Sequence, residues 1–311
     1  MSESGQPSRR TDGSESKETK TDASSLEGRL RETISEFENV RDCNSTAFYV
    51  GTPQTKIGGP FVHQFHKFLR KQGTYDELDL ILDSGGGKLD SSVKIVNICN
   101  QYSDKVNVFV PFYAKSAATV IALSADDLYL GRAGELGPVD PIVTHPSEEG
   151  VFVSAHSVID AVNFIEQEVS DSAVKSELAS QLDIYWIGFG QRAIEQSRQY
   201  LEDIEHGDSS EFAKRLVDEY KDHGYPIDRT RCDELDIPIM EEDEEIEQAL
   251  YDVHETAIEL YDEQNLVHIL AGSEELNKET KQSPDDMIDE MLDELPEETP
   301  EEIPDKLFDE V

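Results

Sequence analysis

Two largely apolar runs, separated by a glycine turn and a helical stretch, dominate the first half of this chain. Leu78-Asp79-Leu80-Ile81-Leu82 empties into Asp83-Ser84-Gly85-Gly86-Gly87, and Val106-Asn107-Val108-Phe109-Val110 leads on to Tyr113-Ala114-Lys115-Ser116-Ala117-Ala118. Between them Val93, Ile95, Val96, Ile98 and Cys99 recur at helical spacing. Short apolar strands alternating with helices call for a parallel sheet with crossover helices, because a parallel pair cannot be joined by a tight hairpin.

The flanking sequence extends the pattern. Leu26, Leu30, Ile34 and Phe37 share a helical face, Ala47 to Val50 reads as a buried strand closed by a Gly51-Thr52-Pro53 turn, and Phe61, Phe65, Phe68 and Leu69 predict a helix before Leu78. Ala117 to Ala125 predicts a helix of small residues, Asp127 to Leu130 a short strand, and Leu136-Gly137-Pro138-Val139-Asp140-Pro141 a rigid turn. Ser157 to about Glu205, Phe212 to Tyr220 and Ile246 to Leu270 read as helical, with Tyr225-Pro226-Ile227 and Ile237-Pro238-Ile239 as extended pieces between them. The reading is an α/β fold with a helical C-terminal part. Residues 1 to 25 form a polar, disordered segment, 26 to 272 one globular domain, and 273 to 311 an acidic, disordered tail, in which Met287 to Leu295 could form one amphipathic helix.

Charge narrows the class of partner. With 68 acidic against 27 basic residues the formal net charge is −41, which repels nucleic acid and anionic lipid. The acids also occupy the polar faces of the helices, as in a protein kept soluble in concentrated salt, where a short Debye length blunts self-repulsion. That predicts a halophilic protein. Cys43, Cys99 and Cys232 are far apart and show no Cys-x-x-Cys or Cys/His spacing, so neither a disulfide framework nor a metal site is expected. No stretch reaches the ~18 apolar residues of a membrane span, and residues 1 to 25 lack the apolar core of a secretory signal. The expectation is a cytoplasmic protein that does not insert into a membrane.

The glycine turn and the serine fit together chemically. Acyl transfer at a serine needs a nucleophile, a base and two donors for the oxyanion of the tetrahedral intermediate. Ser116 is the candidate nucleophile. Gly86 and Gly87 are candidate donors because a residue without Cβ lets a carbonyl approach its N–H. The Ala117 amide, at the start of a helix where the macrodipole favours negative charge, is the other. No GxGxxG follows a strand, so dinucleotide chemistry is not indicated and no cofactor is expected.

These segments resemble the serine dehydrogenase proteinase family, relatives of signal peptide peptidase A and the Clp proteases within the Clp/crotonase superfamily. The resemblance rests on Asp83 to Gly87, on Ala114-Lys115-Ser116-Ala117-Ala118-Thr119 and on Leu136 to Pro141, with weaker similarity at Ala193-Ile194-Glu195-Gln196 and at His223-Gly224-Tyr225-Pro226-Ile227. It covers roughly residues 45 to 240. It implies a Clp/crotonase-like spiral of βα units, an often oligomeric assembly (here a homo-oligomer), and hydrolysis of polypeptide substrates without metal or cofactor. There are two departures from the family pattern: Ala117-Ala118 stand where Gly-Gly follows the serine, and Gly85 stands where a proline is usual. Relatives use a lysine or a histidine as base. Here Lys175 is the lysine between Ser116 and Lys214, His145 follows the Asp140-Pro141 turn, and His156 and Lys115 are further options. The alternative reading is an inactive scaffold or binding module of the same fold. A third, enolate chemistry on a coenzyme A thioester, is disfavoured because no basic cluster for its phosphates is evident.

Overall fold

The computed structural model describes residues 25–41, 45–52, 54–144, 152–204, 215–220 and 222–280. The expected parallel core is present. Strands β1 (Ser45–Gly51), β2 (Tyr75–Asp83), β3 (Ser103–Val110) and β5 (Asp127–Leu130) pair in parallel and in that spatial order. Helices α2 (Gly59–Gln72), α3 (Leu89–Tyr102) and α4 (Ala117–Leu123) make the three crossovers. All three pack on one face of the sheet through Phe61, Phe65, Phe68, Ile95, Cys99 and Ala118, against Leu80 and Val108. Each unit therefore steps the chain one strand further in the same direction, which is the spiral of βα units that the family resemblance implies.

The opposite face is covered by α1 (Leu26–Arg41) and α9 (Glu244–Gln264). Leu30, Ile34 and Phe37, fully buried at i, i+4 and i+7, form the apolar stripe of α1. The Phe37 ring meets Phe109 edge-on at a centroid distance of 5.0 Å. Burying each such side chain contributes about 1.5–3 kcal/mol. One polar cluster interrupts this face. Asp79 is fully buried on β2 and accepts hydrogen bonds from Arg41 Nε at 2.7 Å and Asn107 Nδ2 at 2.6 Å. The Arg41 guanidinium lies 5.0 Å from the Phe109 ring centroid.

Three expectations are corrected at the C-terminal end. Helix α9 stops at Gln264 instead of continuing to Leu270, because Asn265 adopts the left-handed conformation (φ 50°, ψ 50°) that ends a helix. The apolar, β-rich Leu266–Gly272 then forms β9, antiparallel to β1. Residue 272 is consequently not the end of the folded unit, since β10 (Leu276–Thr280) adds an edge strand antiparallel to β9. Its polar composition hides it in the acidic sequence around it. The long helical reading of 157 to 205 resolves into α5 (Ala155–Gln167), α6 (Ser172–Ser180) and α7 (Ile184–Ile204), preceded by the hairpin of β7 (Ile142–Thr144) and β8 (Phe152–Ser154). Arg215–Glu219 is a π-helical turn, and α8 (Arg229–Glu234) lies between the two extended proline pieces. Residues 1 to 24 and the Met287 to Leu295 segment lie outside the described residues. Among the described residues, no helix is long and apolar enough to cross a membrane.

A second, shorter ladder joins the strand tips beyond the main sheet. Ser84 bridges Ala114, β4 (Tyr113–Ala114) pairs in parallel with β6 (Glu135–Leu136), and Leu136 bridges Ile227. This ladder holds the segment in which Ser116 sits.

Candidate active site

Ser116 is the second of the two residues between β4 and α4. Its backbone angles are φ 51° and ψ −117°, a conformation that L-residues rarely adopt. A non-glycine residue held there costs about 1–3 kcal/mol and persists because its surroundings impose it. A serine at a helix start often caps it, but the Ser116 side chain makes no capping hydrogen bond. The sharp step puts the hydroxyl beside the helix N-terminus, where the first backbone N–H groups lack intrahelical partners. Ala118 N–H and Thr119 N–H donate back to the carbonyls of Lys115 and Ser116 at 2.9 and 3.0 Å.

The glycine loop meets the serine directly. Gly86 has φ +98°, and a Cβ built on it would lie 2.5 Å from the Lys115 carbonyl oxygen, 3.0 Å from Ser116 Cβ and 3.2 Å from the Ala117 nitrogen. Glycine is required here by the close approach as well as by the backbone angle. The Gly86 N–H is already used: it donates to Ser84 Oγ at 3.1 Å, and that hydroxyl donates to the Thr55 carbonyl at 3.0 Å. Gly87 is bridged to Ile57, which donates to the Gly86 carbonyl at 3.0 Å and accepts from Lys88 N–H at 2.7 Å. In a parallel bridge of this kind both groups of Ile57 are spent on the residues flanking Gly87, so the N–H of Gly87 itself points away from Ile57. Of the two glycines named from the sequence, Gly86 provides close approach and Gly87 retains its N–H.

One buried hydroxyl ties the site to the Leu136–Pro141 turn. Thr119 Oγ1 lies 2.7 Å from the Ala114 carbonyl and 2.8 Å from that of Gly137, and accepts from Gly137 N–H at 3.1 Å. With one proton the hydroxyl donates to one carbonyl at a time, yet it joins β4, α4 and the turn at a single point. Ala118, one of the two alanines that stand where glycines follow the serine in the family pattern, belongs to the hydrophobic core, so its methyl packs inward. Thr119 and Ser84 are the positioning residues that sequence reasoning did not single out. Thr119 stood within the serine segment, but its role depends on a turn 18 residues away.

The candidate bases are placed less favourably. Lys115 turns from the serine: its ammonium pairs with Glu135 at 2.6 Å and donates to the Leu136 carbonyl at 3.1 Å. Lys175, on α6, donates to the Glu166 carbonyl at 2.7 Å and so sits against the C-terminal turn of α5 rather than at Ser116. His145 lies outside the described residues. Two histidines lie near carboxylates, one of them Asp140 of the turn itself. His223 Nδ1 is 3.5 Å from Asp140 Oδ2 and makes no hydrogen bond among the described residues, while Asp140 Oδ1 accepts from Ser154 Oγ at 2.7 Å. His156 Nε2 is 3.7 Å from Asp218 Oδ1, a carboxylate also gripped by Arg198.

Competing nucleophiles are muted. Burial pushes the thiols of Cys99 and Cys232 from 9.0 up to about 12, so both remain protonated across the neutral range. Among the described residues no group of His, Cys, Asp and Glu is placed to hold a metal ion.

Comparison with known proteins gives the arrangement its context. Two uncharacterized proteins of Methanocaldococcus jannaschii are similar to this chain, one 27% identical over 167 residues (52% of this chain and 51% of its own length). The other is 29% identical over 190 residues (59% and 58%). The chain thus spans about half the length of the curated relatives it matches. Among solved structures, a 1510-N membrane-bound stomatin-specific protease in complex with a substrate peptide is 14% identical with a TM-score of 0.41, over 81% of this chain and 97% of that one. ClpP1 from Listeria monocytogenes is 13% identical with a TM-score of 0.36, over 71% and 99%. At such scores the structural likeness is slight. The family profile described as ClpP-like SDH-type serine proteinase, by contrast, matches residues 64–283, well over half of the chain. The spiral fold, the glycine loop and the strained serine all lie in or beside that span, and the chain belongs to the ClpP-like SDH-type serine proteinases.

Proposed function

We propose that the protein is a serine endopeptidase acting on unfolded or small polypeptides, with Ser116 as nucleophile. The observation that carries this reading is the strained backbone of Ser116, held against Gly86 at the N-terminus of α4. Ser116 Oγ attacks the carbonyl carbon of the peptide bond as its proton passes to a base. The carbonyl oxygen becomes an oxyanion that accepts hydrogen bonds from Ala117 N–H and Gly87 N–H. The intermediate collapses, the C–N bond breaks, and the amine leaves with the proton held by the base. Water then repeats the sequence on the acyl-enzyme, releasing the acid and restoring Ser116. Each oxyanion donor contributes about 3–4 kcal/mol of transition-state stabilisation. The base we assign is His223, whose Nδ1 lies 3.5 Å from Asp140 Oδ2, because Asp140 sits in the turn that Thr119 couples to α4. The engagement of the Lys115 and Lys175 amines elsewhere favours an imidazole over a lysine and is also the observation on which the scaffold reading rests.

The test is fluorophosphonate labelling together with casein hydrolysis in molar KCl. Ser116→Ala is expected to lose both. His223→Ala is expected to lose about 100-fold or more in hydrolysis, with Lys175→Ala retaining it, and His156→Ala and His145→Ala complete the series. Loss confined to another member of the series moves the role of base to that residue. A folded wild-type protein that neither takes the probe nor cleaves casein would make the chain an inactive scaffold.

A further inference from the structure

The apolar strand β2 ends on a carboxylate. Asp83 is fully buried, and a charge in such a place needs a partner. Among the described residues its one ion-pair partner is His254 of α9, whose Nε2 lies 3.1 Å from Asp83 Oδ2. A carboxylate oxygen accepts, so the imidazole N–H donates. Tyr49 O–H stands further off, at 3.5 Å from the same oxygen, and Asp83 Oδ1 has no hydrogen-bond partner among the described residues. Burial first, and then the Asp83 carboxylate, push the Tyr49 phenol above its ordinary range, so that hydroxyl keeps its proton. Without the imidazole, Asp83 is left with one long contact.

Asp83 is the root of the glycine loop. Its neighbour Ser84 holds the Gly86 N–H through Oγ, donates its own N–H to the Tyr113 carbonyl at 2.8 Å and accepts from Lys115 N–H at 3.0 Å. A Cβ on Gly51 would run into the Asp83 carbonyl, so the end of β1 closes on this residue from the other side. His254 also reaches the limb that carries the serine. Its ring lies 5.7 Å from that of Phe112, centroid to centroid, at an angle of 30°. Phe112 stands in the link between β3 and β4, stacks on Tyr113 at 4.2 Å, and through its carbonyl accepts from Glu135 N–H at 3.0 Å. Helix α9 delivers the imidazole to this point because His254 stands at the edge of its buried stripe of Leu250, Val253, Ala257 and Leu260. One side chain thus touches the strand end that leads into the glycine loop and the link that leads into the serine.

We infer that His254 is a positioning residue for the oxyanion pocket, a clamp that fixes the glycine loop and the serine segment relative to each other. The inference rests on the reading of Ser116 as nucleophile, because Gly87 N–H belongs to one limb and Ala117 N–H to the other. Two donors serve one oxyanion only when each stands about 2.7–3.1 Å from it. A limb free to drift therefore weakens the transition state while substrate still binds along the rest of the site. His254 itself acts through Asp83 and Phe112 and takes no proton from the substrate.

The experiment pairs casein hydrolysis in molar KCl with amide hydrogen exchange, read on peptides spanning residues 84–87 and 113–119. His254→Phe keeps a ring against Phe112 and loses the bond to Asp83, and its added size faces a cavity of about 370 Å³ lined by Phe112, Tyr251 and Ile258. It should lower kcat about tenfold or more with KM unchanged, the mark of an interaction felt in the transition state, and should speed exchange at 84–87. His254→Gln carries an amide N–H to the place of Nε2 and should restore most of both. Phe112→Leu keeps the bond and should speed exchange at 113–119 alone, which decides the matter even where His254→Phe does not fold. Arg41→Met weakens the same sheet elsewhere and should lower the melting temperature while kcat and both exchange rates stay at wild-type values wherever it is folded. A folded His254→Phe with wild-type kcat and exchange would overturn the inference, as would a loss that His254→Gln shares in full or wild-type exchange in Phe112→Leu. A wild type that cleaves no casein would overturn the reading of Ser116 and with it the catalytic role of the clamp, whereas exchange still reports whether His254 holds the two limbs.

Discussion

At the scale of single residues the site depends on what is missing as much as on what is present. A Cβ on Gly86 would meet the Lys115 carbonyl, Ser116 Cβ and the Ala117 nitrogen at once, so a methyl there must push the serine step away from the loop. Gly86→Ala is therefore expected to abolish fluorophosphonate labelling while leaving a folded protein with a lowered melting temperature. Labelling at the wild-type rate would show that the loop is not coupled to Ser116. The sequence made Ser116, Ala117 and the glycine pair legible because their residue types are restricted by chemistry. It did not show that the Gly86 N–H is taken by Ser84 Oγ, since a serine before glycines has many local partners to choose from. Nor did it show where Lys175 points, because the direction of a long side chain is set by tertiary packing.

At the scale of elements, the β2 strand shows how a buried charge is held. Asp79 is paired with Arg41 from α1 and with Asn107 from β3, so it fastens the helix layer to two neighbouring strands. Arg41→Met leaves a carboxylate buried without its cation and is expected to cost about 3–5 kcal/mol in urea unfolding. Arg41→Met/Asp79→Leu should recover most of that loss, because it removes both charges together. If the double variant is no more stable than the single one, the pair is not what destabilises it. Elements with strong periodicity, such as α1, α2, β2 and β3, were readable from the sequence. The strand β10 was not, since Leu276-Asn277-Lys278-Glu279-Thr280 is an edge strand whose polar residues match those of the acidic segment that follows. The run through Leu270 was read as helix because a short apolar stretch fits either period, and one left-handed residue at Asn265 decided the outcome.

At the scale of the whole molecule, the charge of −41 sets the conditions under which the fold is stable. Self-repulsion extends over about 10 Å at 0.1 M salt and over about 3 Å at 1 M. The melting temperature is expected to rise steeply between these concentrations of KCl, and to rise again more gently toward saturation. A melting temperature independent of KCl would mean that the acidic surface carries no net strain and that the protein is not adapted to salt. The parallel sheet with its crossover helices was legible in the sequence because it follows from the order of strand and helix, whereas the spiral was implied by the family resemblance. The short ladder at the strand tips was not, since it joins Ser84, Ala114, Leu136 and Ile227, residues whose separations no local pattern reports.

That ladder has a consequence in time. Leu136 and Ile227 exchange both of their backbone hydrogen bonds, at 2.9 and 3.0 Å, across 91 positions of the chain. A ribosome has already released Ser116 and the glycine loop when Leu136 still lacks this neighbour. The segment behind Ser116 is clamped on its far side only after residue 227 has emerged and closed a large loop. The segment that carries Ser116 is thereby completed only after the 91 positions beyond Leu136 have been synthesised.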